Sequence, residues 1–200
     1  MKLNNNSEIT LLLLILFSAA CNNKVDRYKK VSDTIIVKTA TAVNQPQPGE
    51  FITGDFNADG KKEQASVIRP AFNKDSTDCN GDCITIIRFS DTMIPSIEIN
   101  DAVSADLNNL GDLNKNGSDE LGFLPGSFAG CWNDYHVYTF INNQWMDAVK
   151  PFPVYCSQWD EGMPPVKSDS AKKSYAVITY SVNTGEEIIT KKRSVPVKQN

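Results

Sequence analysis

Two stretches of this sequence align residue for residue, and together they restrict the fold more than anything else in it. Gly54-Asp55-Phe56-Asn57-Ala58-Asp59-Gly60-Lys61-Lys62-Glu63 matches Gly111-Asp112-Leu113-Asn114-Lys115-Asn116-Gly117-Ser118-Asp119-Glu120 without a gap. Counted from the aspartate, oxygen-bearing side chains stand at the first, third and fifth positions and a glycine at the sixth. Alternate oxygens in a tight loop converge on one hard cation, and the glycine lets the backbone turn. Calcium takes about six to eight oxygens, so a backbone carbonyl, a later carboxylate and water must complete the shell. The expected ligands are Asp55, Asn57, Asp59, Glu63 and the Lys61 carbonyl in the first copy, and Asp112, Asn114, Asn116, Glu120 and the Ser118 carbonyl in the second. The first copy gathers three carboxylates against two, so it is expected to bind more tightly. The competing reading is an Asx-rich turn whose side chains bond their own backbone and hold no metal.

An EF-hand loop begins the same way but needs a bidentate acid at its twelfth position. That position holds Ser66 in one copy and Phe123 in the other. The segment after each loop is short, apolar and soon broken by Pro70 or Pro125, so 64–69 and 121–124 read as strands rather than helices. Further strands are expected at 84–89, 96–99 and 135–141, with a short piece around Trp145. A final hairpin is expected from 175–182 and 186–195 across Asn183-Thr184-Gly185.

At these residues the chain resembles the FG-GAP, or integrin α-like, propeller repeats, whose blades hold calcium in Asp-x-Asn-x-Asp-Gly-x-x-Asp loops between two strands. Glu63 and Glu120 stand where that family has its last aspartate, and Asn116 stands where it has the middle one. The resemblance implies an all-β domain of two to three propeller-blade-like antiparallel sheets with calcium loops between strands. The chain separating the two copies suffices for a four-stranded blade, yet a closed propeller typically needs about four or more blades. A compact monomer is the expectation.

The N-terminus carries an address. The apolar run Ile9-Thr10-Leu11-Leu12-Leu13-Leu14-Ile15-Leu16-Phe17 is too short for a mature transmembrane helix, and small residues come directly after it. Ser18-Ala19-Ala20-Cys21 resembles the lipobox of bacterial lipoproteins, which implies cleavage before Cys21 and lipidation of that cysteine. The alternative is an ordinary signal peptide that leaves Cys21 a free thiol. Residues 1–20 are thus expected to be a signal peptide, 21–48 a flexible tether with an edge strand at 34–37, and 49–200 the β-rich domain. The lipid would place the protein in the cell envelope, on the outer membrane facing the periplasm. A net charge of −4 with no basic block gives no electrostatic case for nucleic acid.

Setting Cys21 aside, four cysteines remain in an exported chain, and an even count favours two disulfides out of three connectivities. The Asn80-Gly81 turn can bring Cys79 and Cys83 within bonding range, which leaves Cys131 for Cys156. A four-thiolate zinc site is the rival arrangement.

All three tryptophans fall in the aromatic stretch 131–159. Trp132, Tyr135 and Trp159 are candidates for a platform that takes a sugar or peptide, while Tyr138, Phe140 and Trp145 read as core. Catalysis has little to work with. His136 is the sole histidine, Ser127 lacks a nucleophile-elbow frame, and no phosphate loop is present. Two classes of function remain: a non-enzymatic calcium-binding envelope module that mediates protein or glycan binding, and a small exported glycosidase-like hydrolase using acids such as Asp134 or Asp160.

Overall fold

The structure, a computed structural model, describes residues 51–74, 78–128, 130–159 and 164–199. The signal, Cys21, the tether with 34–37, and Asp160 lie outside the described residues.

The fold is all-β. Among the described residues eleven strands form three antiparallel sheets, and the one helix, α1 (Cys156–Trp159), is a single turn. The first sheet is a meander of β1 (Phe51–Gly54), β2 (Glu63–Ile68), β3 (Ile84–Phe89) and β4 (Ile97–Asn100), in chain order. The second repeats that plan with β5 (Ser104–Asn109), β6 (Leu121–Gly126), β7 (Trp132–Ile141) and β8 (Gln144–Tyr155). The third pairs β10 (Tyr175–Asn183) with β11 (Ile188–Pro196) on one side and β9 (Val166–Ser168) on the other. None of the three closes into a barrel.

Alternation along the strands decides where the core sits. The second sheet is the middle layer, with apolar side chains on both faces. Leu121 and Phe123 on β6, with Tyr138 and Phe140 on β7 and Trp145 on β8, meet Ala65, Ile87 and Phe89 of the first sheet. On its other face Leu124, Val137, Phe152 and Val154 meet Val166, Ala176 and Ile178 of the third. Phe89 and Trp145 stack at 5.0 Å between ring centroids, and Trp145 donates its indole N–H to the Pro95 carbonyl.

Each repeated loop joins the first two strands of its sheet, and its apolar second residue is the plug. Phe56 inserts between the first and second sheets, and Leu113 between the second and third. The repeat therefore recurs in three dimensions: each sheet's loop is anchored in the interface that sheet shares with the next. Burying a side chain of this kind stabilises by about 1.5–3 kcal/mol.

Both expected disulfides form, Cys79 to Cys83 and Cys131 to Cys156. The second ties the start of β7 to the residue after β8 and closes the long hairpin at its open end. Three elements depart from the sequence reading. β8 is a full strand rather than a short piece around Trp145, β7 begins at Trp132, and β1, β5 and β9 had no counterpart among the expected strands.

Candidate functional site

The two loops adopt one conformation held by one set of hydrogen bonds. In the first, Asp55 accepts from the backbone N–H groups of Asp59 and Gly60 (3.1 and 2.9 Å), Asn57 Oδ1 from Asp59 (3.0 Å), and Asp59 from Lys61 (2.8 Å). In the second, Asp112 accepts from Asn116 and Gly117 (both 3.1 Å), Asn114 Oδ1 from Asn116 (2.9 Å), and Asn116 from Ser118 (2.8 Å). Ala58 and Lys115 share a left-handed backbone with φ of 62° and 68°, as do Gly60 and Gly117. The ninth residue closes each turn: Glu63 Oε2 accepts from the Phe56 N–H (3.0 Å) and Glu120 Oε2 from the Leu113 N–H (2.5 Å).

These bonds are those of an Asx turn, but they do not exhaust the acceptors. An ionised carboxylate offers about four lone-pair sites, so the acids of each loop keep acceptor capacity beyond these bonds. In the first loop, carboxylate oxygens of Asp59, Glu63 and Asp91 lie within 4.8 Å of one another. Asp91 comes from the β3–β4 connection, and its Oδ2 accepts from Asn57 Nδ2 (3.3 Å). Sequence reading missed it, because nothing in a loop motif points to an acid 34 residues further on.

The second loop is enclosed rather than open. Asn114, Ser118 and Glu120 are buried, with Glu120 at 0% exposure. Asn114 turns its amide nitrogen outward to the Lys198 carbonyl (2.9 Å), leaving its oxygen for the loop. Burial pushes the Glu120 carboxyl up to about 7, although the Leu113 N–H and the Thr139 hydroxyl favour its ionised form. Its Oε1 is buried with no hydrogen-bond partner. Burial raises Glu63 as well, and Asp59, Asp55 and Asp91 add to the rise. Glu120 is thus held by the loop through Oε2 while Oε1 is buried without a hydrogen bond, and a buried carboxylate oxygen of that kind is one that a hard divalent cation would satisfy. The Lys61 ammonium, 3.6 Å from Asp59, sits at the outer rim of the first loop.

The loops also bond to each other. Asp119 donates its N–H to the Asp55 carbonyl (2.7 Å), and its Oδ2 accepts from the Asp55 N–H (3.1 Å) and Asn109 Nδ2 (2.9 Å). Gly54 lies beneath this junction, where a Cβ would stand 2.5 Å from Asn109 Nδ2.

The aromatic stretch divides. Tyr138, Phe140 and Trp145 pack against the core as expected. Tyr135, expected as part of a ligand platform, is 2% exposed and gives its hydroxyl to Asn108, which removes it from any surface. Its place on the inward face of β7 is the reason. Trp132 is 40% exposed and leans on Tyr155 at 5.1 Å. The Trp159 side chain lies outside the described residues. Trp132 lines a groove of about 540 Å³ between β8 and β10. A second cleft, of about 370 Å³, lies beside β4 and is lined by Glu98, Asp101, Ser127, Asp134 and His136. His136 stacks on Phe123 at 4.9 Å, its buried Nδ1 has no partner, and burial lowers its pKa against the pull of Asp134 and Asp147.

No family model, no curated protein and no solved structure matches this chain.

Proposed function

We propose that this chain is an exported lipoprotein of the cell envelope, anchored through Cys21, whose domain is a non-enzymatic calcium-binding β module that presents a surface to a protein or glycan. It acts as a monomer on the periplasmic side of the outer membrane. The ion is structural. Asp55, Asn57, Asp59 and Glu63 with the Lys61 carbonyl would hold it in one loop, and Asp112, Asn114, Asn116 and Glu120 with the Ser118 carbonyl in the other. FG-GAP-like blades are the pattern proposed for the loops and sheets.

The observation that carries this reading is the buried, unpartnered Oε1 of Glu120 within a loop whose hydrogen bonding reproduces that of the first. Bracing the turn needs only Oε2, which takes the Leu113 N–H, and leaving Oε1 buried without a partner has a desolvation cost that a cation would offset. A cation there links two sheets, because each loop's second residue is wedged into the following interface.

The test compares thermal unfolding and amide exchange of the full chain in millimolar calcium and in chelator. Calcium is expected to raise the unfolding midpoint and to protect amides in both loops and in β2 and β6. Identical curves with and without the ion would overturn the metal reading.

A hydrolase is the second reading, favoured by the acids beside His136 in the cleft next to β4. Turnover of a glycan or peptide substrate that is lost in Asp134→Asn but retained in Asp55→Ala would establish it over the binding module.

A further inference from the structure

We propose that the groove between β8 and β10 binds an acidic oligosaccharide, with a sugar ring laid against Trp132 and its carboxylate met by Arg193 and Lys150. The inference rests on the domain being a binding module but not on the metal loops, which supply none of the groove's lining residues.

Size and shape come first. A concave space of about 540 Å³ falls within the range of small-ligand sites, about 300–1,000 Å³. Its wall includes Trp132, whose exposed face is steadied by the Tyr155 ring and by the neighbouring Cys131–Cys156 disulfide. A fixed aromatic face loses little entropy on binding and suits the apolar face of a pyranose ring.

Charge then selects among sugars. The chain is acidic, with a net charge of −4, yet the groove's lining includes Lys150 and Arg193 and no carboxylate. Neither cation forms a salt bridge among the described residues. The Arg193 guanidinium lies 5.2 Å from the centre of the Tyr180 ring, an arrangement that holds the planar fork while its edge donors stay available to a carboxylate. A neutral sugar would leave both charges unused.

The backbone argues against the other anionic occupant, an acidic peptide. An extended peptide docks on a sheet by hydrogen bonding to a free edge, and β8 is the outer strand of its sheet here. Along that edge Pro151 and Pro153 have no N–H to give, and the next outward donor, Tyr155 N–H, is taken by Ser181 Oγ at 3.0 Å. Three consecutive outward positions thus offer no donor to an added strand. What the β8 wall leaves for recognition is side chains, and with Trp132 and Arg193 beside it the groove offers an aromatic face and two cations, which is sugar-binding chemistry.

The experiment is calorimetric titration of the full chain in detergent with trigalacturonate, set against cellotriose and a hexaglutamate peptide. It is run both in calcium and in chelator, so that an ion bridging the sugar is recognised. Trigalacturonate is expected to bind at least about tenfold more tightly than either control in both buffers. Trp132→Ala and Arg193→Gln are each expected to weaken it about tenfold or more, with part of the affinity kept in Arg193→Lys. Lys150→Gln, at an exposed position, serves if a Trp132 variant fails to fold. Equal binding of cellotriose, preference for the peptide, or titrations unchanged by the Arg193 and Lys150 variants would overturn the proposal. Sugar binding without any calcium response would overturn the metal reading alone, and a calcium response without sugar binding would overturn the groove alone.

Discussion

The ninth residue of each loop does two things at once. Its carboxylate braces the loop by accepting the second residue's N–H, and it does so while buried. For Glu120 the cost is visible as a carboxyl raised from its usual 4.5 to about 7, with desolvation the largest cause. A folded state that holds this proton more strongly than the unfolded one is stabilised by it below about pH 4.5, and loses that contribution as the pH climbs to about 7. In chelator, the unfolding midpoint should therefore fall across this window in the natural chain and fall less in Glu120→Gln. Calcium, taking the proton's place as counter-charge, should flatten the difference. At the first loop Asp91 adds a fourth nearby carboxylate, so titration should find tighter binding lost in Asp55→Ala and weaker binding lost in Asp112→Ala; a dominant second site would contradict the ligand count. Gly54→Ala tests the junction between loops. Its Cβ would press on Asn109, Asp119 and Phe56, and a destabilisation of about 1–3 kcal/mol is expected in denaturant unfolding.

At the level of elements, β8 is the strand that sequence reading cut short. Pro151 and Pro153 look like breakers, and in a central strand they would be. The chain tolerates them because β8 is an edge, where the missing donors face away from β7. Which strand forms an edge is a property of the sheet, invisible along the chain. The hairpin of β7 and β8 is then closed by Cys131–Cys156, whose 25-residue separation corresponds to about 3.5 kcal/mol of chain-entropy stabilisation, against about 2 for the tighter Cys79–Cys83 loop. Replacing each pair by serine should lower the unfolding free energy in that order, and the Cys131/Cys156 variant should also loosen Trp132, read as a change in its fluorescence. β2, β3, β4, β6 and most of β7 followed from alternation and turn chemistry, whereas the short strands β1, β5 and β9 did not. β10 and β11 form the expected hairpin around Asn183-Thr184-Gly185, and Gly185 adopts the positive φ such a turn requires.

For the molecule as a whole, three stacked sheets with cores on both faces of the middle one leave the outer faces and edges to manage. β11 blunts its edge with Lys191, Lys192 and Arg193, charges that discourage pairing with another chain. The loops' ions would act on the stack rather than on one sheet. With dissociation constants near 10⁻³ M, about 10 mM calcium should add about 1.4 kcal/mol per occupied site, which differential scanning calorimetry can read as a concentration-dependent midpoint. The repeated ten residues, most of the alternating strands, the all-β character and the pairing of the cysteines were legible by inspection, because each depends on groups within a few residues of one another or on simple counting. The ligand platform was not. Tyr135 and Trp132 lie on the same strand and look equally suitable, yet one faces the core and the other the solvent. Asp91, the orphaned oxygen of Glu120 and the cationic groove are likewise tertiary facts. They arise where chain segments far apart in sequence are brought together and water is removed, and those two conditions are set by packing rather than by any local run of residues.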